Sequence, residues 1–450
     1  MPVSAHERLF ARMWAAAALA HLAGNPFYGD VWPRPSAVGV ALLAVGVAAV
    51  VVLARPAHRA MLVLAAAVPL SAALEAPVLG NHWLLAAAVS LAYVATAGRW
   101  ELFTPAARWT LVVFYAFAAF AKLNTGFLDP NTSCAVFYAN QALTAARLPA
   151  LPPAGAEAAA LIVATIVAEA SVPVLLVMPR TRHAGVLLGL AFHGLVSLNV
   201  AQHFYDFTAV LLALFVLFLS EDVGEAAERM IASVPERWRR MAWAGIAALG
   251  LAVTFVNVTP PGPVSTWFLK RLSFVAWLPY LALVTWLIVR ARAAERPSWR
   301  LAPAAAIVVG LVFVNGLTPY LELKTAYGFN MYANLVTTNG RSNHLLVRRT
   351  LPVRRDQERP VEILFSSDRR LGRYAAQGYL LPWPSFRAFL AAHPDVSVTY
   401  RRDGETLSLQ RASDRPDLVA PVPWWWRWMP LRAIDSRDPP RCQTAFLPAL

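Results

Sequence analysis

Cysteine is nearly absent: the 450 residues contain two, Cys134 and Cys442, which excludes a disulfide-dense scaffold and a cysteine-rich zinc site. Charge is scarce too, at 15% of residues against roughly a quarter in soluble domains. What is abundant is apolar side chain, 58% of the chain, more than a soluble core of this size can bury, so the surplus calls for lipid. Acidic residues are the scarcer sign, leaving a formal charge of +14. The arginines nevertheless gather on no single helix or low-complexity tail, so nucleic acid is not the expected partner. No internal repeat or flexible linker is visible.

Apolar runs long enough to cross a bilayer, which takes roughly 17–25 residues, recur with short polar breaks. They lie near 12–28, 37–54, 61–79, 82–98, 108–125, 157–178, 185–202, 206–220, 241–258, 273–290 and 301–317. Backbone groups in lipid must be paired within the segment, so these runs predict helices. Arg8 and Arg12 before an apolar stretch resemble a signal peptide, but His21 interrupts the run and no soluble domain follows. A short first membrane helix is the better reading.

The expected fold is therefore mainly α, a polytopic membrane helix bundle of about ten or eleven spans over residues 1–320, followed by an extracytoplasmic α+β domain over 321–450. In that second part Val361–Phe365 and Val396–Tyr400 read as strands, Asp403-Gly404 as a hairpin turn, and Pro384–Ala392 as a short helix. Orientation comes from the basic residues. One set of alternate loops carries sixteen, including Arg55, Arg59, Arg180, Arg182, Arg237, Arg239 and Arg240, whereas the other carries four, Arg34, Arg147, Lys270 and Arg271. The richer set is expected in the cytoplasm, of a bacterial inner membrane in this reading, which puts 80–82, 126–156, 201–206 and everything after Pro319 outside. Both cysteines then share an oxidising side, and a Cys134–Cys442 disulfide is expected, with two separate thiols as the alternative.

Ionisable side chains inside apolar helices are costly, so each needs a partner or a function. Glu75, Lys122, Glu169, His193 and His203 stand out, joined by Asn81 and His82. Lys122 ends a run that is otherwise nonpolar apart from Tyr115. A poorly solvated lysine gives up its proton readily, as a general base must; the plainer reading is an amine that snorkels to the headgroups. Asn81-His82 serves equally as a polar helix cap, and Glu75 and Glu169 as packed, satisfied groups. His193 and His203 are ten apart, the wrong spacing for two ligands on one helix face, so no metal is expected. Trp424-Trp425-Trp426-Arg427-Trp428 suits a membrane interface, or a platform for an apolar ligand or a peptide. Asn131-Thr132-Ser133 matches a glycosylation sequon, a pattern too common to weigh.

Several of these stretches resemble the vitamin K-dependent gamma-carboxylases and the bacterial proteins that share their horizontally transferred transmembrane (HTTM) domain. Gly80-Asn81-His82-Trp83-Leu84 is similar to the family's Asn-Asn-His hairpin, and Phe114 through Leu123 to its aromatic helix ending in lysine. Phe192-His193-Gly194-Leu195 with Asn199 and Phe204 to Phe207 resembles a His-x-x-Asn-like stretch before an aromatic turn. Tyr327-Gly328-Phe329-Asn330-Met331, continuing to Arg341-Ser342-Asn343-His344, is a weaker match.

The resemblance implies a membrane lyase acting on a hydrophobic quinol, a reduced vitamin K-type quinone. In the family O2 converts that quinol to an epoxide through a strongly basic intermediate, which deprotonates a substrate glutamate before CO2 adds. Lys122 would be the base and Asn81 and His82 orienting groups, with His193, Asn199, His203, Glu75 and Glu169 around the quinol. Membrane lipids and a protein or peptide acceptor would be the partners. The chain departs from the family at Ala121, where a second lysine is common, and at Asn330, where tryptophan is expected. The alternative is a non-enzymatic carrier or assembly factor using the same polar cavity.

Overall fold

A computed structural model describes residues 3–24, 36–257, 263–294 and 297–443. Arg34, Arg296 and the stretches 25–28 and 258 of two expected spans lie outside the described residues. Every expected apolar run otherwise coincides with a helix: α1 (Ala5–Gly24), α2 (Ser36–Ala54), α3 (His58–Glu75), α4 (Asn81–Ala95), α5 (Trp100–Ala121), then, after short α6 (Thr125–Leu128) and α7 (Cys134–Ala145), α8 (Ala156–Val177), α9 (Arg182–Ser197) and α10 (Phe204–Val216). The amphipathic α11 (Asp222–Ser233) precedes α12 (Glu236–Val256), α13 (Pro263–Arg290) and α14 (Pro303–Leu317). Among the described residues six of these helices, α2, α3, α5, α8, α12 and α13, are long and apolar enough to cross a membrane; α4, α10 and α14 are apolar but shorter.

Helices α1, α4, α5 and α10 form the centre of the bundle, with Phe10, Trp14, Tyr93, Phe103, Phe114 and Phe215 fully enclosed. Every described position of α10 is buried. The outer helices instead expose large aliphatic side chains, such as Val40, Val63, Leu195, Val275 and Ile307. A band of this kind suits hydrocarbon rather than water.

Beyond α14 the chain does not leave the bundle at once. Ala326, Tyr327 and Phe329 belong to the main bundle core, and Asn124 and His344 form an isolated bridge. The small ladder β1 (Thr337–Thr338) and β2 (Arg341–Ser342) sits in this stretch. A second core begins at β3 (Val361–Ser366) and continues through α15 (Arg369–Gln377), β4 (Tyr379–Leu381), α16 (Trp383–Ala392), β5 (Val398–Arg402), β6 (Glu405–Leu409), α17 (Pro416–Val419) and β7 (Ile434–Asp435). The sheet is antiparallel, in the order β6-β5-β3-β4-β7. Asp403 and Gly404 both take positive φ, 54° and 83°, the backbone a two-residue hairpin between β5 and β6 requires. A register shift between Ile363 and Phe365 turns Phe365 outward.

Among the links that fasten this part to the bundle are a disulfide and an arginine. Cys134, at the start of α7, is disulfide-bonded to Cys442. Arg427 donates from Nε to Ala76 O at 3.0 Å and from Nη2 to Leu74 O at 2.9 Å, closing the carbonyl end of α3. Its neighbour Trp426 is buried, while Trp424 and Trp425 remain 78% and 41% exposed.

Candidate functional site

Lys122 caps the end of α5 and is buried. Its amine does not snorkel outward: Nζ lies 2.7 Å from Glu169 Oε2 on α8, 3.3 Å from Ala118 O and 5.8 Å from the centre of the Phe127 ring. The ion pair forms because α5 packs along α8, and neither charge could be left alone in so apolar a place.

This pair forms part of the wall of a cavity of about 300 Å³ between α5, α7, α8 and α9. Its lining is mostly aromatic and aliphatic, including Phe114, Tyr138, Phe192, Phe204 and Phe207. His193 faces the same space from α9, packed edge-on against Tyr115 at 5.7 Å and Phe207 at 5.1 Å. Neither His193 ring nitrogen nor the Tyr115 hydroxyl has a hydrogen-bond partner among the described residues. Buried polar atoms normally find partners, so unsatisfied ones beside a cavity of ligand size point to something that fills it. Asn199 also lines the space, its Nδ2 donating to Tyr138 O at 3.3 Å.

The remaining expected residues gather elsewhere, behind Phe207. His82, in the first turn of α4, places Nε2 3.2 Å from Asp206 Oδ2 and 3.2 Å from His21 Nδ1. His21 Nε2 in turn lies 3.4 Å from Glu75 Oε2, and the Trp83 indole donates to Glu75 Oε1 at 3.0 Å. His203 starts α10 beside Tyr205. Asn81 does not reach the cavity: its Oδ1 accepts from the Phe329 backbone N–H at 2.9 Å. Thus Lys122, Glu169, His193 and Asn199 share one cavity, while Asn81, His82, Glu75 and His203 are absent from its lining. Phe207 touches both groups, its ring 5.1 Å from His193 and 6.3 Å from His82.

Sequence reasoning passed over His21, Asp206, Tyr115 and Trp83. For His21 and Asp206 the sequence carries a signal, since both are ionisable groups in apolar helices, though a single histidine there looks equally like a break in a hydrophobic run. No family model, curated protein or solved structure matches the chain.

Proposed function

We propose that the protein is a membrane enzyme of the vitamin K-dependent gamma-carboxylase type that takes a quinol from the bilayer, with Lys122 as its base. The observation that carries this reading is the Lys122–Glu169 pair in the wall of an aromatic cavity that also presents the unsatisfied His193 and Tyr115. A flat apolar ring with polar oxygens fits such a lining. When bound, a quinol supplies the reducing equivalents that, with O2 and CO2, drive epoxidation and carboxylation.

The chain's own residues have three tasks. The aromatic walls exclude water, which strengthens each electrostatic contact inside. His193 and the Tyr115 hydroxyl fasten the ligand oxygens by the hydrogen bonds they now lack. Lys122 Nζ takes the proton from such an oxygen. To do so it must first shed its own, and Glu169 Oε2, at 2.7 Å, is the acceptor within reach.

In this reading the bundle makes ten or eleven crossings and the C-terminal sheet stands outside an inner membrane. The disulfide between Cys134 and Cys442 supports that side for both. The exposed Trp424 and Trp425 support a seat in the headgroups.

The test is turnover of a reduced naphthoquinone with O2 by the purified protein in nanodiscs, with epoxide measured by chromatography. Lys122→Ala, combined with Glu169→Gln so that no lone charge stays buried, should lower the rate by about 10²–10⁴-fold, the usual worth of a general base, while retaining the elution profile of the parent. Undiminished epoxide formation by that variant rejects Lys122 as the base.

A second reading is favoured by the fact that Lys122 is already paired: a carrier or assembly factor that holds a lipid or quinone without converting it. Mass spectrometry of molecules co-purifying with the protein separates the two. A quinone recovered together with its oxidised product supports catalysis, and a bound lipid recovered unchanged, with no turnover, supports carriage.

A further inference from the structure

We propose that His21, His82 and Asp206 form a binding site for a divalent first-row transition-metal ion, of zinc or iron(II) type, where α1, α4 and α10 meet at one end of the bundle. This departs from the expectation that no metal is bound, and it does not depend on the quinol reading of the neighbouring cavity.

One potential ligand atom from each residue lies within 4.8 Å of the others. The two closest separations, His21 Nδ1 to His82 Nε2 and His82 Nε2 to Asp206 Oδ2, are both 3.2 Å. An imidazole nitrogen carries one in-plane proton or one lone pair, so His82 Nε2 cannot serve two partners well. A single point in front of all three atoms can be served by all three. Nitrogen and oxygen ligands about 2.0–2.2 Å from a tetrahedral zinc ion stand about 3.3 Å apart, close to the separations seen here.

The surroundings hold the ligands as a metal site requires. A ligating histidine usually gives its other ring nitrogen to a carboxylate, which fixes the tautomer and strengthens the ligand. His21 Nε2 has Glu75 Oε2 at 3.4 Å, and Glu75 is itself held by the Trp83 indole. Trp83 also stacks on the His21 ring, at 3.8 Å and 9° between planes. Gly80 makes room for the second histidine, since a Cβ at that position would stand 2.5 Å from His82 Cε1. All three candidate ligands are buried, and a carboxylate enclosed among apolar helices calls for positive charge. Two imidazoles and one carboxylate suit zinc or iron(II) better than calcium or magnesium, which prefer oxygen. They also leave coordination room for water or a further ligand.

The full chain, carrying a tag without histidine and purified in detergent after growth with added zinc and iron, should retain about one such ion per chain by elemental mass spectrometry. Stripped protein titrated with Co2+ should develop visible d–d absorption. His82→Gln and Asp206→Asn should each lose at least about nine-tenths of the ion and the Co2+ bands, whereas Arg401→Ala, exposed on the C-terminal sheet, should keep both. If either ligand variant fails to elute as the parent does, the parent alone decides the matter. Folded parent protein that holds less than about a tenth of an equivalent and gives no Co2+ spectrum overturns the site. The four side chains are then a chain of hydrogen bonds from Asp206 to Glu75.

Discussion

At the scale of single residues, the chain places buried charge where each group has a stated partner, and Lys324 is the test of that rule. It follows α14 and is buried, with Nζ donating to the Asn315 Oδ1 amide oxygen and lying 4.7 Å from the centre of the Tyr327 ring. Burial pushes its pKa down from 10.5 to about 7. The unfolded chain therefore binds a proton near pH 10.5 that the folded chain refuses until about 7. Stability should fall as pH drops through that window and level off below it. Lys324→Met should abolish this dependence and melt higher than the parent at pH 6, by an amount worth a few kcal/mol; thermal melts of both proteins at pH 6 and pH 9 check it. Lys122 follows the same rule with a different solution, since Glu169 neutralises it. That Lys122 and Glu169 matter was legible from their setting in apolar runs, whereas Lys324 lies past the last such run and carried no such signal. The pairing of the first two was not legible, because nothing in the local sequence of α5 names a position on α8.

Among elements, two of the arginines that set the expected orientation, Arg108 and Arg182, close helix ends. Arg108 donates from Nε and Nη2 to Leu217 O, at 2.8 and 2.7 Å, just past the end of α10. Arg182 donates from Nε to Leu176 O at 3.0 Å and from Nη2 to Val177 O at 3.3 Å, at the end of α8. Arg427 does the same for α3. The last carbonyls of a helix have no partner inside it and carry partial negative charge, so a buried guanidinium satisfies both needs. Arg427→Ala would leave the Leu74 and Ala76 carbonyls unpaired and release the tryptophan run from the α3–α4 hairpin. The expected cost is about 1–3 kcal/mol, read as a lower melting temperature and faster proteolysis near 424–428. By contrast Arg401→Ala, which removes an exposed pair with Glu362, should cost less than about 1 kcal/mol.

For the whole molecule, the main question is how the sheet region is kept on the bundle. The Cys134–Cys442 bond spans 308 positions and ties the start of α7 to the chain after β7. Beside it the Cys442 backbone N–H donates to Thr132 O at 2.9 Å. Cys442→Ser should destabilise the fold by about 2–5 kcal/mol. Cys134→Ser should give the same loss, and the double variant no more than either alone. Melts of the three variants check this, together with non-reducing electrophoresis after cleavage between the two positions; parent fragments that separate without reductant would refute the bond.

The sequence by itself determined the helices and the outline of the C-terminal strands, because apolar run length, the pairing of backbone in lipid and turn chemistry at Asp403-Gly404 all act over a few neighbouring residues. It also marked the polar outliers, whose cost in an apolar helix is a local property. Only the tertiary structure decided which of them meet. It joined Lys122 to Glu169 and His193 around one cavity and drew His82 away to His21 and Asp206. The physical reason is that a helix repeats on itself and carries no record of its neighbours; the meeting of side chains from distant helices is set by how the whole bundle packs.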